Sequence, residues 1–342
     1  MSRGAPSTSA SSFPALDSSA ALTHIGFGSC LHQDKKQPIL DVVRDRDVDL
    51  FLMLGDNVYG DVSVPTEMTE LRAAYAQQMR NPGFAALRRQ TPMLAIWDDH
   101  DFGLNDACAT FPGRAQAEVL FDRFWRIPDG AASRTRPGIY DAHVIGPPGR
   151  QVQILLLDTR FFRSNLTISA DDRWRYQPDP DPSKTMLGHD QWRWLETELR
   201  KPADLRLLVS SIQVIADGHG WEAWRMLPTE RDRLYNVIRR TGAAHLVILS
   251  GDRHRAGLYR RDDVIDYPLF EITSSSLNYP TTSPEEPGPH RLGPTYRQEN
   301  FGTVQIDWTA GTLRLEIVDV QGKTALSQAI DVGMLRSSGV RD

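Results

Sequence analysis

Six short apolar runs punctuate the chain: HIGFGS (24–29), LFLMLG (50–55), MLAIW (93–97), VQILLLD (152–158), LRLLVSS (205–211) and HLVILSG (245–251). Runs of this length, with almost no polar interruption, predict strands buried on both faces. Between them the period changes. In TEMTELRAAYAQQM, Met68, Leu71 and Tyr75 recur three and four apart, as do Trp192, Leu195 and Leu199 in GHDQWRWLETEL, so each segment predicts a helix with one face on a sheet. PTERDRLYNVI predicts a third, opened by a capping pair of Thr229 and Asp232.

Toward the C-terminus PLFEITSS, FGTVQIDW and GTLRLEIVDV follow one another with only turns between, which predicts an antiparallel meander and hence mixed sheet content. Two stretches, 163–186 and 276–299, are dense in Pro, Asp and Ser and fit no regular element. Loops this long inside a compact domain are expected to form functional rims. No internal repeat or domain boundary is visible. The expected organisation is a disordered tail over 1–22, rich in Ser, Ala and Pro, one domain over 23–330, and a C-terminal tail over 331–342.

Composition narrows the function classes. With 342 residues, 40% of them hydrophobic, the chain can bury a large core, and a net charge of −5 offers no basic face for a stable nucleic-acid complex. Two cysteines, Cys30 and Cys108, make no disulfide framework and are expected as free thiols. No window approaches the roughly 18 apolar residues of a membrane span, and the first residues contain no signal-type apolar core. The sequence as it stands is expected to be soluble and cytoplasmic.

The candidate chemistry sits where the apolar runs stop. LFLMLG runs into Asp56, Asn57 and Tyr59; MLAIW into Asp98, Asp99, His100, Asp101 and Asn105; HLVILSG into Asp252 and His254; and HIGFGS into Cys30. A lone Gly-Asp is an ordinary turn, and a lone buried cysteine is an ordinary small hydrophobe. Four such strand ends in one α/β chain are another matter, because ligands bind at strand ends in these folds. Carboxylates crowded together repel unless cations neutralise them, which points to a polynuclear metal centre. Thiolate and phenolate suit a strongly Lewis-acidic ion, carboxylates and amide suit a hard cation such as calcium or magnesium, and zinc fits on softness.

GSC, GDNVY, WDDHD, LLDTRFFR, GHDQWRWL, ILSGDRH and FEITSSS occur in the order and spacing of the PhoD-like alkaline phosphatases, within the calcineurin-like metallophosphoesterase superfamily. From about residue 23 to about 320 the chain resembles that family. The resemblance implies an αββα sandwich of four layers with two mixed sheets, and a centre of ferric iron and calcium that hydrolyses small-molecule phosphomonoesters or phosphodiesters. Zinc, manganese or magnesium would be the substitutes. By position, Cys30 resembles the iron thiolate, Asp56 the bridging carboxylate, Tyr59 the phenolate ligand and His254 the terminal histidine. Asp252, Asp99 and Asn105 resemble ligands of the second metal, and His100 the histidine that touches substrate.

Three readings sit beside this set. Cys30-Leu31-His32 matches the D-x-H spacing of other metallophosphoesterases, so His32 competes with Tyr59, which is favoured. Arg160 and Arg163 follow a strand and offer forks for phosphate oxygens, with pairing of Arg160 to Asp158 as the alternative. His219 is a candidate for the pocket lining. The extra N-terminal β domain of exported PhoD-like enzymes is not expected from this sequence. The expected mechanism is in-line attack by a metal-bound hydroxide with His100 protonating the leaving group. The rival readings are a dedicated phosphodiesterase and a metal-binding homologue without turnover.

Overall fold

The computed structural model describes residues 14–337; residues 1–13 and 338–342, parts of the two expected tails, lie outside the described residues. The chain opens with β1 (His24–Gly28), α1 (Ile39–Asp45), β2 (Leu50–Leu54), α2 (Thr69–Arg80), α3 (Pro82–Gln90), β3 (Met93–Ile96), α4 (Asp99–Phe102) and α5 (Arg114–Trp125). It continues through β4 (Asp141–Ile145), β5 (Val152–Leu156), β6 (Thr167–Ile168), β7 (Tyr176–Gln177), α6 (Gly188–Leu199), β8 (Leu205–Ser210), α7 (Pro228–Thr241) and β9 (Leu246–Ser250). The last elements are β10 (Ala256–Arg261), β11 (Leu269–Ser274), β12 (Asn300–Asp307), β13 (Thr312–Asp319) and β14 (Thr324–Asp331).

Two six-stranded mixed sheets carry the fold, ordered β14-β13-β12-β1-β2-β3 and β10-β11-β9-β8-β5-β4. In the first, β1, β2 and β3 run parallel, with Phe27 opposite Leu52 and Leu52 opposite Leu94. In the second, β5, β8, β9 and β11 are parallel. Parallel neighbours need crossovers, and helices supply them except between β9 and β11, which are linked through β10. The result is the four-layer αββα sandwich, its sheets joined at one end where the Ser274 hydroxyl donates to Asn300 Oδ1 at 2.7 Å. All six apolar runs are strands, and β2, β5 and β9 are buried along their whole length, as uninterrupted apolar runs require.

Two sequence expectations fail for physical reasons. PLFEITSS does not belong to the C-terminal meander; it is β11, buried at every position and paired with β9 and β10 in the second sheet, while β12, β13 and β14 form the meander in the first. The Thr229–Asp232 capping pair is not formed. Pro228 already suits the first helical position, and the Thr229 hydroxyl donates instead to the Pro180 carbonyl at 3.0 Å. At the chain ends, the Ser18 carbonyl accepts from Gly146 N–H at 2.9 Å, the Leu22 carbonyl from the Trp308 indole at 2.8 Å, and Leu335 is buried.

Candidate metal centre

The three parallel strands of the first sheet end side by side, and β9 of the second sheet ends against them. Each strand then turns sharply. Cys30, Asp56, Asp252 and His254 all have left-handed backbones, with φ of 59°, 49°, 70° and 52°. A non-glycine residue costs about 1–2 kcal/mol in that conformation, and such strain collects at functional sites. Neighbouring bonds hold the turns: Cys30 N–H donates to Gly55 O at 3.3 Å and Leu31 N–H to Asp56 O at 2.8 Å. Gly55, at φ 98°, lets the end of β2 close on the next strand end, since a Cβ there would lie 2.5 Å from Asp98 Cβ.

These turns bring the candidate ligands together. Ligand atoms of Cys30, Asp56 and His254 lie within 4.8 Å of one another, as do those of Asp56, Asp99 and His100, and of Asp98, Asp99 and Asp252. Asp56 is shared by the first two groups, as a bridging carboxylate would be. Its Oδ2 takes the Tyr59 hydroxyl at 3.1 Å and the Cys30 thiol at 3.5 Å, while its Oδ1 is buried with no hydrogen-bond partner among the described residues. Asp98 Oδ2 is orphaned in the same way. Unpartnered buried carboxylate oxygens beside a thiol and an imidazole fit a cation-binding site.

The electrostatics agree with that fit. Burial pushes the Cys30 thiol, the Tyr59 phenol and the Asp56 carboxyl well up, and the neighbouring Asp56, for the thiol and phenol, and Asp99, for Asp56, add to the rise. Burial, then Asp98, does the same to Asp252. Asp99 goes the other way: burial opposes its ionisation, but Arg160, His100 and the Asp106 N–H outweigh it.

Each histidine is aimed by a bond on one ring nitrogen. His254 Nδ1 pairs with the Tyr279 carbonyl, which fixes that nitrogen as the N–H and leaves Nε2 as the donor atom. His100 Nδ1 lies 2.7 Å from Asp61 Oδ1. His32 is outside the ligand groups; its ring stacks on Tyr59 at 4.7 Å between centroids. Asn57 braces the loop, its side-chain amide donating to the Ile96 carbonyl at 2.9 Å and to Asp101, whose carboxylate also accepts the Asp56 and Asn57 N–H groups.

Arg160 and Arg163 do not face substrate space. They are 0% and 1% exposed. Arg160 Nε lies 2.5 Å from Asp98 and its Nη2 2.6 Å from Glu222, which also pairs with Arg163. From Arg160, Asp158 accepts the backbone N–H, at 2.9 Å, and no guanidinium bond. Buried guanidinium groups need buried carboxylates, so these two brace the site from within. His219, 2% exposed, likewise lies outside the cavity lining.

The cavity over the centre measures about 300 Å³ and is lined by Asp56, Asp99, His100, Asn105, Asp252 and His254, with Arg175, Trp221, Arg253 and Arg255 at its other walls. A wider vestibule of about 1060 Å³ adjoins it, sharing His100, Asn105 and His254 and adding His32, Tyr59, Asp61 and Tyr279. Asp61, Glu222, Arg175 and Trp221 were not legible as site residues. Arg253 and Arg255, which flank His254, carried the one available signal.

Two six-stranded mixed sheets with acidic, thiol and imidazole groups at their strand ends define a protein with a metallophosphoesterase-like fold. The fold matches the solved structure of PhoD, with a TM-score of 0.70 at 18% identity over 96% of this chain and 76% of that one. It also matches the purple acid phosphatase PPD1 of yellow lupin (Lupinus luteus) seeds, with a TM-score of 0.62 at 10% identity over 92% and 55%. The chain belongs to the PhoD-like phosphatase family, whose model matches residues 143–317. It is also 23% identical to alkaline phosphatase D of Bacillus subtilis (strain 168) over 264 residues, an alignment that spans 67% of this chain and 44% of that protein. No helix among the described residues is long and apolar enough to cross a membrane.

Proposed function

We propose that the protein is a metal-dependent phosphoric ester hydrolase acting on small-molecule phosphate esters, with Cys30, Asp56, Tyr59 and His254 holding iron and Asp56, Asp99, Asn105 and Asp252 holding calcium. The observation that carries the reading is the sharing of Asp56 between a group with Cys30 and His254 and a group with Asp99. The Cys30 thiol and Tyr59 phenol meet Asp56 Oδ2, with His254 in the same group, while Asp99 and His100 form the second group with Asp56.

When bound, the cations would activate water and neutralise charge on the phosphoryl group. The rest falls to the chain's own side chains. His100, oriented through Nδ1 by Asp61, presents Nε2 to the cavity as the proton donor for a leaving alkoxide. The buried Arg160–Glu222–Arg163 cluster keeps Asp98 and Asp99 in place from behind.

Metal analysis of the purified protein, run beside parallel turnover of an aryl phosphomonoester and an aryl phosphodiester, tests the reading. Iron with calcium and turnover of either ester supports it. A metal-loaded protein that turns over neither ester sinks the activity, and an active protein without iron sinks the ligand assignment.

A further inference from the structure

Trp221 is 49% exposed and lines the same cavity as Asp56, Asp99, His100 and His254. An indole left in water at the wall of a site is a surface that a bound group can cover. It is also held in a built position. Its backbone N–H donates to Nδ1 of the buried His219 at 3.2 Å, and the His219 carbonyl accepts from Arg225 at 2.7 Å. The Gly220 carbonyl accepts from Tyr176 N–H at 2.8 Å, and a Cβ on Gly220 would lie 2.4 Å from the Trp174 ring, so only glycine lets the two loops close here. None of these bonds serves a metal ligand.

The chemistry of the remaining walls decides what would cover the ring. The Arg253 guanidinium lies over one face of the indole, 5.8 Å from its centroid, so a bound ring would use the other face, and Arg175 and Glu286 also line the cavity. A flexible alkyl chain against those walls would strip water from charged groups without replacing it. A planar ring covers the indole face and keeps its edge toward the charges. We propose that Trp221 is a specificity-determining residue whose ring stacks on a planar aromatic part of the substrate, so that esters of aryl alcohols or nucleosides are preferred to esters of small alkyl alcohols. The proposal rests on the phosphoester reading above and adds the class of alcohol.

The test uses the metal-loaded protein and two phosphonates whose C–P bonds resist hydrolysis, phenylphosphonate and methylphosphonate, with affinities from calorimetry. Wild type should bind phenylphosphonate more tightly, and Trp221→Ala should lower the phenyl-to-methyl affinity ratio by about 5- to 20-fold, within the range of ring stacking. Trp221→Phe, which keeps a ring, should restore most of it. An unchanged ratio in Trp221→Ala overturns the proposal while leaving the phosphoester reading intact. Failure of wild type to bind either phosphonate overturns both. Parallel KM values for phenyl phosphate and uridine 5′-monophosphate then separate the two ring sources, since the affected substrate names the ring.

Discussion

His100 Nδ1 and Asp61 Oδ1 stand 2.7 Å apart, and Asp61 follows Asp56 on the same strand-end loop. One loop therefore carries the shared carboxylate and the group that aims the proposed acid. His100→Ala should keep near-normal metal content and lose activity by roughly 10²–10⁴-fold. Because a good leaving group needs little protonation, the loss should be smaller for a nitrophenyl ester than for an alkyl ester. Equal losses, or loss of metal, would reassign His100 as a phosphoryl contact or a ligand. Asp61→Asn should show the same leaving-group asymmetry with a smaller loss, about tenfold.

Cys30→Ala and Tyr59→Phe each remove a donor that would be anionic on one ion. On the proposed ligand set both variants lose iron more than calcium, and any phenolate-to-iron colour fades with Tyr59. Metal analysis of the two variants beside wild type checks this. Equal depletion of both metals would sink the division of ligands.

Glu222 sits between two fully buried guanidinium groups. Glu222→Gln should leave both short of a counter-charge and lower unfolding stability by about 3–5 kcal/mol, read as a lower urea midpoint at unchanged slope. A change below about 1 kcal/mol would mean that Asp98 and Asp99 suffice for Arg160 and the Asp106 and Ala107 carbonyls for Arg163.

Glu118, on α5, belongs to none of the candidate ligand groups, and burial pushes its carboxyl up to about 7 from an ordinary 4.5. A carboxyl raised on folding binds a proton more tightly in the native state, so stability falls as pH rises from about 4.5 through 7. Glu118→Gln, which stays neutral, should therefore stabilise the protein at pH 8 by on the order of 1–2 kcal/mol after allowance for partial solvent screening. At pH 4 it should change little. Denaturant melts at both pH values give the comparison, and a gain at pH 4 equal to that at pH 8 would reject burial as the cause.

The parallel core was legible because β2, β5 and β9 are buried on both faces and so read as unbroken apolar runs. Strands with one wet side were not. β14 is exposed or half-buried at all but one position, and TALSQAID carries too little apolar pattern to separate it from a turn. The candidate ligands were legible because polar residues at the end of a buried strand break the pattern. Their supports were not, since Asp61, Glu222 and Trp221 act through contacts between distant loops that leave no periodic mark. Arg160 and Arg163 show the converse: the residue type promised phosphate binding, and burial turned it inward.

The Ser29 hydroxyl donates to the Ser274 carbonyl at 3.4 Å across 245 residues of chain, where the two sheets meet beside Cys30. That seam gives the centre an order of assembly. During synthesis Cys30, Asp56 and Asp99 emerge early, yet the pocket that buries the thiol waits for β9 and β11 to be made and docked. Until then Cys30 remains an accessible sulfur on an incomplete domain, open to oxidation or to capture of a stray soft ion. On the proposed ligand set, correct metallation would therefore be a race between closing the second sheet and the chemistry of one exposed cysteine.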